Sequence, residues 1–68
     1  MNIVGEKVRN HRESFGWTQE QFATKCNLIG WSISRSTVAK IESKVRRVTD
    51  IETLLLSKAL KVKIEQLF

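Results

Sequence analysis

Two stretches decide how this chain reads: Gly16-Trp17-Thr18-Gln19-Glu20-Gln21-Phe22-Ala23, and Ser34-Arg35-Ser36-Thr37-Val38-Ala39-Lys40-Ile41-Glu42-Ser43. In the first, Thr18 and Gln21 have the spacing of a capping box. The Thr18 hydroxyl takes the Gln21 amide and the Gln21 side chain reaches back. Trp17 just before the cap and Phe22 at the fourth helical position form a hydrophobic staple across it. A helix therefore opens at Thr18 and is expected to reach about Cys26. In the second stretch Ser34 is the N-cap of a helix running to about Ser43. At about 100° per residue, its two strongly apolar members, Val38 and Ile41, lie only about 60° apart. Ser36, Ala39, Lys40 and Ser43 gather on the opposite side.

Working outward, helical periodicity continues in both directions. A first helix is expected over about residues 3–14, with Ile3/Val4, Val8 and Arg12/Phe15 on one stripe and Gly16 as its left-handed stop. Residues 27–33 carry no stripe and include Gly30, which marks a connection. Residues 44–48 read as a basic loop. Thr49-Asp50-Ile51-Glu52 is a second capping box, opening a helix through Leu60 whose buried face is expected to be Leu55, Leu56, Ala59 and Leu60, headed by Ile51. Residues 64–68 form a last short helix or turn. With no strand-like alternation, repeat or low-complexity run, the expectation is one all-α domain over residues 1–68.

Sixty-eight residues with 41% hydrophobic and 28% charged side chains suit a small globular domain, one that buries only somewhat over ~60% of its unfolded surface. One cysteine (Cys26) and one histidine (His11) cannot supply a four-ligand zinc site or a disulfide, so no metal and no cofactor is expected. Cys26 reads as a small core residue rather than a redox sensor, and His11 as an exposed side chain. No stretch approaches a membrane span. The start, Met1-Asn2-Ile3-Val4-Gly5-Glu6, lacks the basic-then-apolar pattern of a secretory signal. A cytoplasmic protein without enzymatic activity is expected, since little chain remains to wall off a catalytic pocket.

The net charge is +5, and its placement is informative. Residues 1–30 hold four cations against three anions, and residues 48–68 hold three against three. Residues 35–47 hold five (Arg35, Lys40, Lys44, Arg46, Arg47) against Glu42 alone. Such concentration fits a polyanion such as nucleic acid, although a merely solvated basic face has the same charge. The outward side of the helix at 34–43 weighs against that alternative. Short polar residues there admit close approach to a major groove and offer hydrogen bonds to base edges, whereas a purely solvated helix favours Glu, Lys and Gln. Arg35, on the flank, can swing to guanine or to a phosphate. The start of the helix at Gln19 suits a phosphate through its free amides and dipole.

The order and spacing of these elements resemble the Cro/lambda-repressor-like (XRE-type) helix-turn-helix domains of transcription regulators. The resemblance rests on Val8-x-x-x-Arg12-Glu13, residues 16–23 and 34–42, residues 54–60, and Val62-x-Ile64-Glu65-Gln66-Leu67-Phe68. It implies a compact five-helix domain with its helix-turn-helix at about residues 18–43. Base-reading positions fall on Arg35, Ser36 and Lys40, with Ala39 against a thymine methyl. Phosphate-contacting positions fall on Thr18, Gln19, Ser43, Lys44, Arg46 and Arg47. Arg12 and Glu42 fall on the positions of a partly buried ion pair joining two helices.

The chain departs from that family in three places. Fifteen steps separate Ala23 from Val38, about five more than the motif usually has. The extra turn at residues 28–32 is expected to add core, with Leu28 and Ile29 tucked in and Trp31 covering the gap; the alternative is a Trp31 that reaches DNA or a partner. Lys44 and Lys61 stand where glycines are customary, the first at a possible steric cost and the second as a surface charge. Family members often pair through the C-terminal end, so Leu54, Leu67 and Phe68 are expected in a homodimer contact; otherwise Leu67 and Phe68 close the core. The function expected is a repressor reading double-stranded DNA. The alternative is a protein-interaction module, such as an antitoxin or anti-repressor, on the same scaffold.

Overall fold

The computed structural model describes residues 2–68. Four α-helices follow one another: α1 (Gly5–Ser14), α2 (Gln19–Leu28), α3 (Arg35–Glu42) and α4 (Asp50–Leu60). The expected fifth helix is instead a four-residue 3-10 turn, Ile64–Leu67, too short to sustain α-helical bonding. α3 packs on α1 and α2, α4 packs on the same two helices, and the 3-10 turn folds back on α1 and α4.

The starts of α2, α3 and α4 follow from local side-chain signals. Thr18 Oγ1 accepts the Gln21 amide at 3.0 Å while Gln21 Oε1 accepts the Thr18 amide at 2.8 Å. Thr49 and Glu52 make the same reciprocal pair, both at 3.1 Å. Ser34 Oγ accepts the Thr37 amide. The Trp17 and Phe22 rings stack with centroids 6.4 Å apart, closing the staple.

The helix ends share one device. After each helix a residue enters the left-handed region: Gly16 (φ +73°), Gly30 (φ +89°), Lys44 (φ +67°) and Lys61 (φ +56°). In each case the following amide reaches back to a carbonyl five residues earlier, as Trp17 does to Arg12 and Val62 to Ser57, which is the Schellman closure. Lys61 is thus more than a surface charge. Both lysines hold a conformation that costs an L-residue roughly 1–2 kcal/mol.

The core is built from Val8, Phe22, Val38, Ile41, Leu56 and Leu60, all at most 1% exposed. Two apolar expectations fail for one geometric reason. On α2 the inward residues are Phe22, Ala23 and Cys26. Leu28 lies two residues beyond Cys26, about 200° round the helix, and is 77% exposed. Ile29, at the cap, is exposed as well. On α4 the buried residues are Thr53, Leu56, Ser57, Ala59 and Leu60, so Leu56, Ala59 and Leu60 point inward as expected while Ile51 turns outward to 73% exposure and Leu55 is left half-buried. Thr53 and Ser57 tolerate the interior because their hydroxyls donate to the Thr49 and Leu54 carbonyls. Trp31 packs against the core beside the extra turn. Leu67 is fully buried, so it closes the core and leaves the expected subunit contact.

Candidate nucleic-acid interface

α3 has two unlike sides. Val38, Ile41 and Glu42 are buried, whereas Arg35, Ser36, Lys40 and the capping Ser43 are exposed and Ala39 is half-buried. At the N-terminus of α3 the Ser34 hydroxyl lies 3.0 Å from that of Ser36 and 3.3 Å from that of Thr37, holding the first turn in one arrangement. Neither Arg35 nor Lys40 is in an ion pair among the described residues.

The inner side is fixed by a polar lock. Arg12 Nε donates to Glu42 Oε2 at 2.7 Å and Nη2 donates to Oε1 at 3.1 Å. A third guanidinium donor, Nη1, reaches the Trp17 carbonyl at 2.6 Å, and Gln19 Nε2 donates to Glu42 Oε1 at 3.1 Å. The Glu42 hydrogen bonds hold the Arg12 guanidinium in its charged form beyond the ordinary arginine range, against the opposing effect of burial. One carboxylate thereby ties together the end of α1, the entry to α2 and α3. It also holds Gln19 at the first position of α2. Thr18 takes the Gln21 amide, so the Gln19 and Glu20 amides remain the open donors of that helix end.

The loop after α3 hangs on Lys40, whose carbonyl accepts the Val45 and Arg46 amides. Within it the cations differ. Arg47 is exposed and in no ion pair among the described residues. Lys44 faces Glu6 at 3.5 Å in an exposed pair, which solvent and salt screen. Arg46 is committed elsewhere: Nη1 and Nη2 donate to the two Glu52 oxygens at 3.0 and 2.8 Å. That contact raises the Arg46 pKa and lowers that of Glu52. Arg46 therefore pins the loop to the N-terminus of α4 and is not one of its open charges.

A family model for helix-turn-helix domains matches residues 8–67. The chain belongs to the XRE-type helix-turn-helix family. Among solved structures, this helix-turn-helix domain is similar to the restriction-modification controller protein C.AhdI from Aeromonas hydrophila. The two are 29% identical and superpose with a TM-score of 0.81 over 96% of this chain and 91% of that one. No curated protein matches the chain in sequence. Membership makes the domain a DNA-binding transcriptional regulator.

Two residues that position the helix-turn-helix went unread in the sequence. Asn2 Oδ1 accepts the Val4 and Gly5 amides, while Nδ2 donates to the carbonyls of Ile41 at 2.7 Å and Arg46 at 3.1 Å. It joins the start of α1 to the end of α3 and its loop. Gly5 lets that approach happen, because a Cβ there would collide with the Ile41 carbonyl oxygen. An Asn three residues ahead of a glycine-led helix is a visible capping signal; its distant partners are not. His11 also differs from expectation: it is half-buried, and Nε2 donates to the Gln66 carbonyl at 3.0 Å. Cys26 is fully buried, and desolvation pushes its thiol up to about 12. No helix among the described residues is long and apolar enough to cross a membrane.

Proposed function

We propose that this chain is a sequence-specific repressor that inserts α3 into the major groove of double-stranded DNA. Arg35, Ser36 and Lys40 read base edges there and Ala39 contacts a thymine methyl. The open amides at the start of α2, with Thr18 and Gln19, take one phosphate; Ser43, Lys44 and Arg47 take the neighbouring backbone. Arg46 shapes the loop that presents them. The observation that carries this reading is the two-sidedness of α3. Its cationic outer side is open while its inner side is locked by Arg12, Glu42 and Gln19.

The domain acts in the cytoplasm as a homodimer, pairing through the exposed Leu54 and Phe68 together with Ile51, and repression follows from occupying a promoter. Its likeness to a restriction-modification controller supports the same kind of target for this chain: genes of a restriction-modification system. Selection of bound sequences from a random duplex pool tests target and pairing together. A two-fold symmetric consensus, with half-sites about one helical turn apart, is expected. Enrichment of no sequence contradicts the proposal and favours the protein-interaction module.

A further inference from the structure

A groove of about 430 Å³ opens between the C-terminal ends of α1, α2 and α4, and no residue of α3 or its following loop lines it. Its walls are apolar. Phe15 is 47% and Leu28 77% exposed, and the Phe15 and Trp17 rings meet there with centroids 4.7 Å apart. Its rim is cationic: Lys25, Lys58 and Lys61 border it, and no carboxylate does. None of the three lysines is in an ion pair among the described residues. Lys25 Nζ lies 5.1 Å from the Trp17 ring centroid, so part of the rim is already held over the apolar floor.

The two chemistries select the occupant. Exposed aromatic and aliphatic walls are covered by apolar groups, and the rim calls for carboxylates. A second copy of this chain is a poor source of them. It carries a net +5 and would bring three lysines of its own. Four of its seven carboxylates (Glu6, Glu13, Glu42 and Glu52) are already in ion pairs. DNA supplies the charge but not the apolar side chains. We propose that this groove docks an acidic amphipathic helix of a partner protein, whose apolar side chains cover Phe15, Trp17 and Leu28 while flanking carboxylates meet Lys25, Lys58 and Lys61. The regulator then has a contact surface for another protein that leaves α3 free.

The probe is a synthetic helix of about four turns, with Leu and Phe at helical spacing on one face and Glu elsewhere. It is titrated into the full chain while amide NMR shifts are followed. Saturable shifts centred on Phe15, Lys25, Leu28 and Lys61 are expected. Affinity should fall at least tenfold in the Lys58→Glu/Lys61→Glu variant and also in Leu28→Ser, each shown to be folded by circular dichroism. Leu28→Ser alters a side chain that is 77% exposed, so it keeps the test valid if the charge variant unfolds. The same helix with Lys in place of Glu should not bind. Absence of saturation, equal binding of the Lys helix, or shifts centred on α3 overturns the proposal. So does tighter binding of decanoate than of the helix, or a change in oligomeric state on Leu28→Ser.

Discussion

Arg12 and Glu42, thirty residues apart in sequence, are joined by two hydrogen bonds of 2.7 and 3.1 Å, with side chains 10% and 3% exposed. The pair holds α3 against α1, and through Gln19 it also holds the start of α2. Replacing one partner strands a buried charge. Glu42→Leu or Arg12→Met should each cost about 3–5 kcal/mol, whereas the double replacement should cost clearly less than the sum of the two. Denaturant unfolding of the four proteins measures the coupling. Additive losses would mean that the pair does not act as a unit.

A second ion pair makes stability depend on pH. The Arg46 hydrogen bond is the main cause that holds Glu52 below its ordinary value of 4.5. A carboxyl with a depressed folded pKa stabilises the fold above its unfolded pKa, and that contribution disappears as pH falls through the folded value. Glu52→Gln should therefore be less stable than the parent at pH 7. The gap should begin to close below about pH 4.5 and vanish in stronger acid. Urea midpoints for both proteins across this range check the sign; a gap independent of pH would contradict it.

Lys61 sits at φ +56° on the surface, in no ion pair among the described residues. Glycine removes the steric cost of that conformation but adds unfolded-state entropy. Lys61→Gly should therefore raise stability by a net ~0.5–1 kcal/mol, read as a higher thermal midpoint.

Gly5 is the opposite case. A methyl group there meets the Ile41 backbone carbonyl, which cannot rotate away. Gly5→Ala should destabilise by ~1–3 kcal/mol, despite the better helix propensity of alanine. It should also broaden or shift the amide signals of Ile41 and Arg46, whose carbonyls Asn2 bridges.

These contrasts show which parts of the molecule are legible in one sequence. Thr18/Gln21 and Thr49/Glu52 could be read because a capping box is complete within four residues. The left-handed turn at Gly16 is likewise local. Leu28 and Ile51 were misassigned because an apolar residue inside a helix announces only that it is apolar. Which stripe turns inward is set by the partner helices, and on α4 these select Thr53 and Ser57. Leu67 and Phe68 are adjacent and similar, yet only the fold-back of the 3-10 turn decides that Leu67 is buried and Phe68 is 60% exposed. Along residues 35–47, charge density marked the cationic segment but not which of its cations are already paired. Arg46 looks like Arg47 in sequence until Glu52, six residues on, is brought against it. Asn2 and Gly5 act on Ile41 across nearly the whole helix-turn-helix, a relation no local pattern encodes.

The division of labour on the α3 side is tested most directly by fluorescence anisotropy. A selected duplex and its single-base variants are titrated with the parent, Arg35→Ala and Arg47→Ala at several salt concentrations. Arg35→Ala should lose ~1–3 kcal/mol on the selected duplex and relax preference at one base position, with little change in salt slope. Arg47→Ala should weaken every duplex alike and reduce the slope by about one. Equal, sequence-blind losses in both variants would contradict α3 as the element that reads the bases.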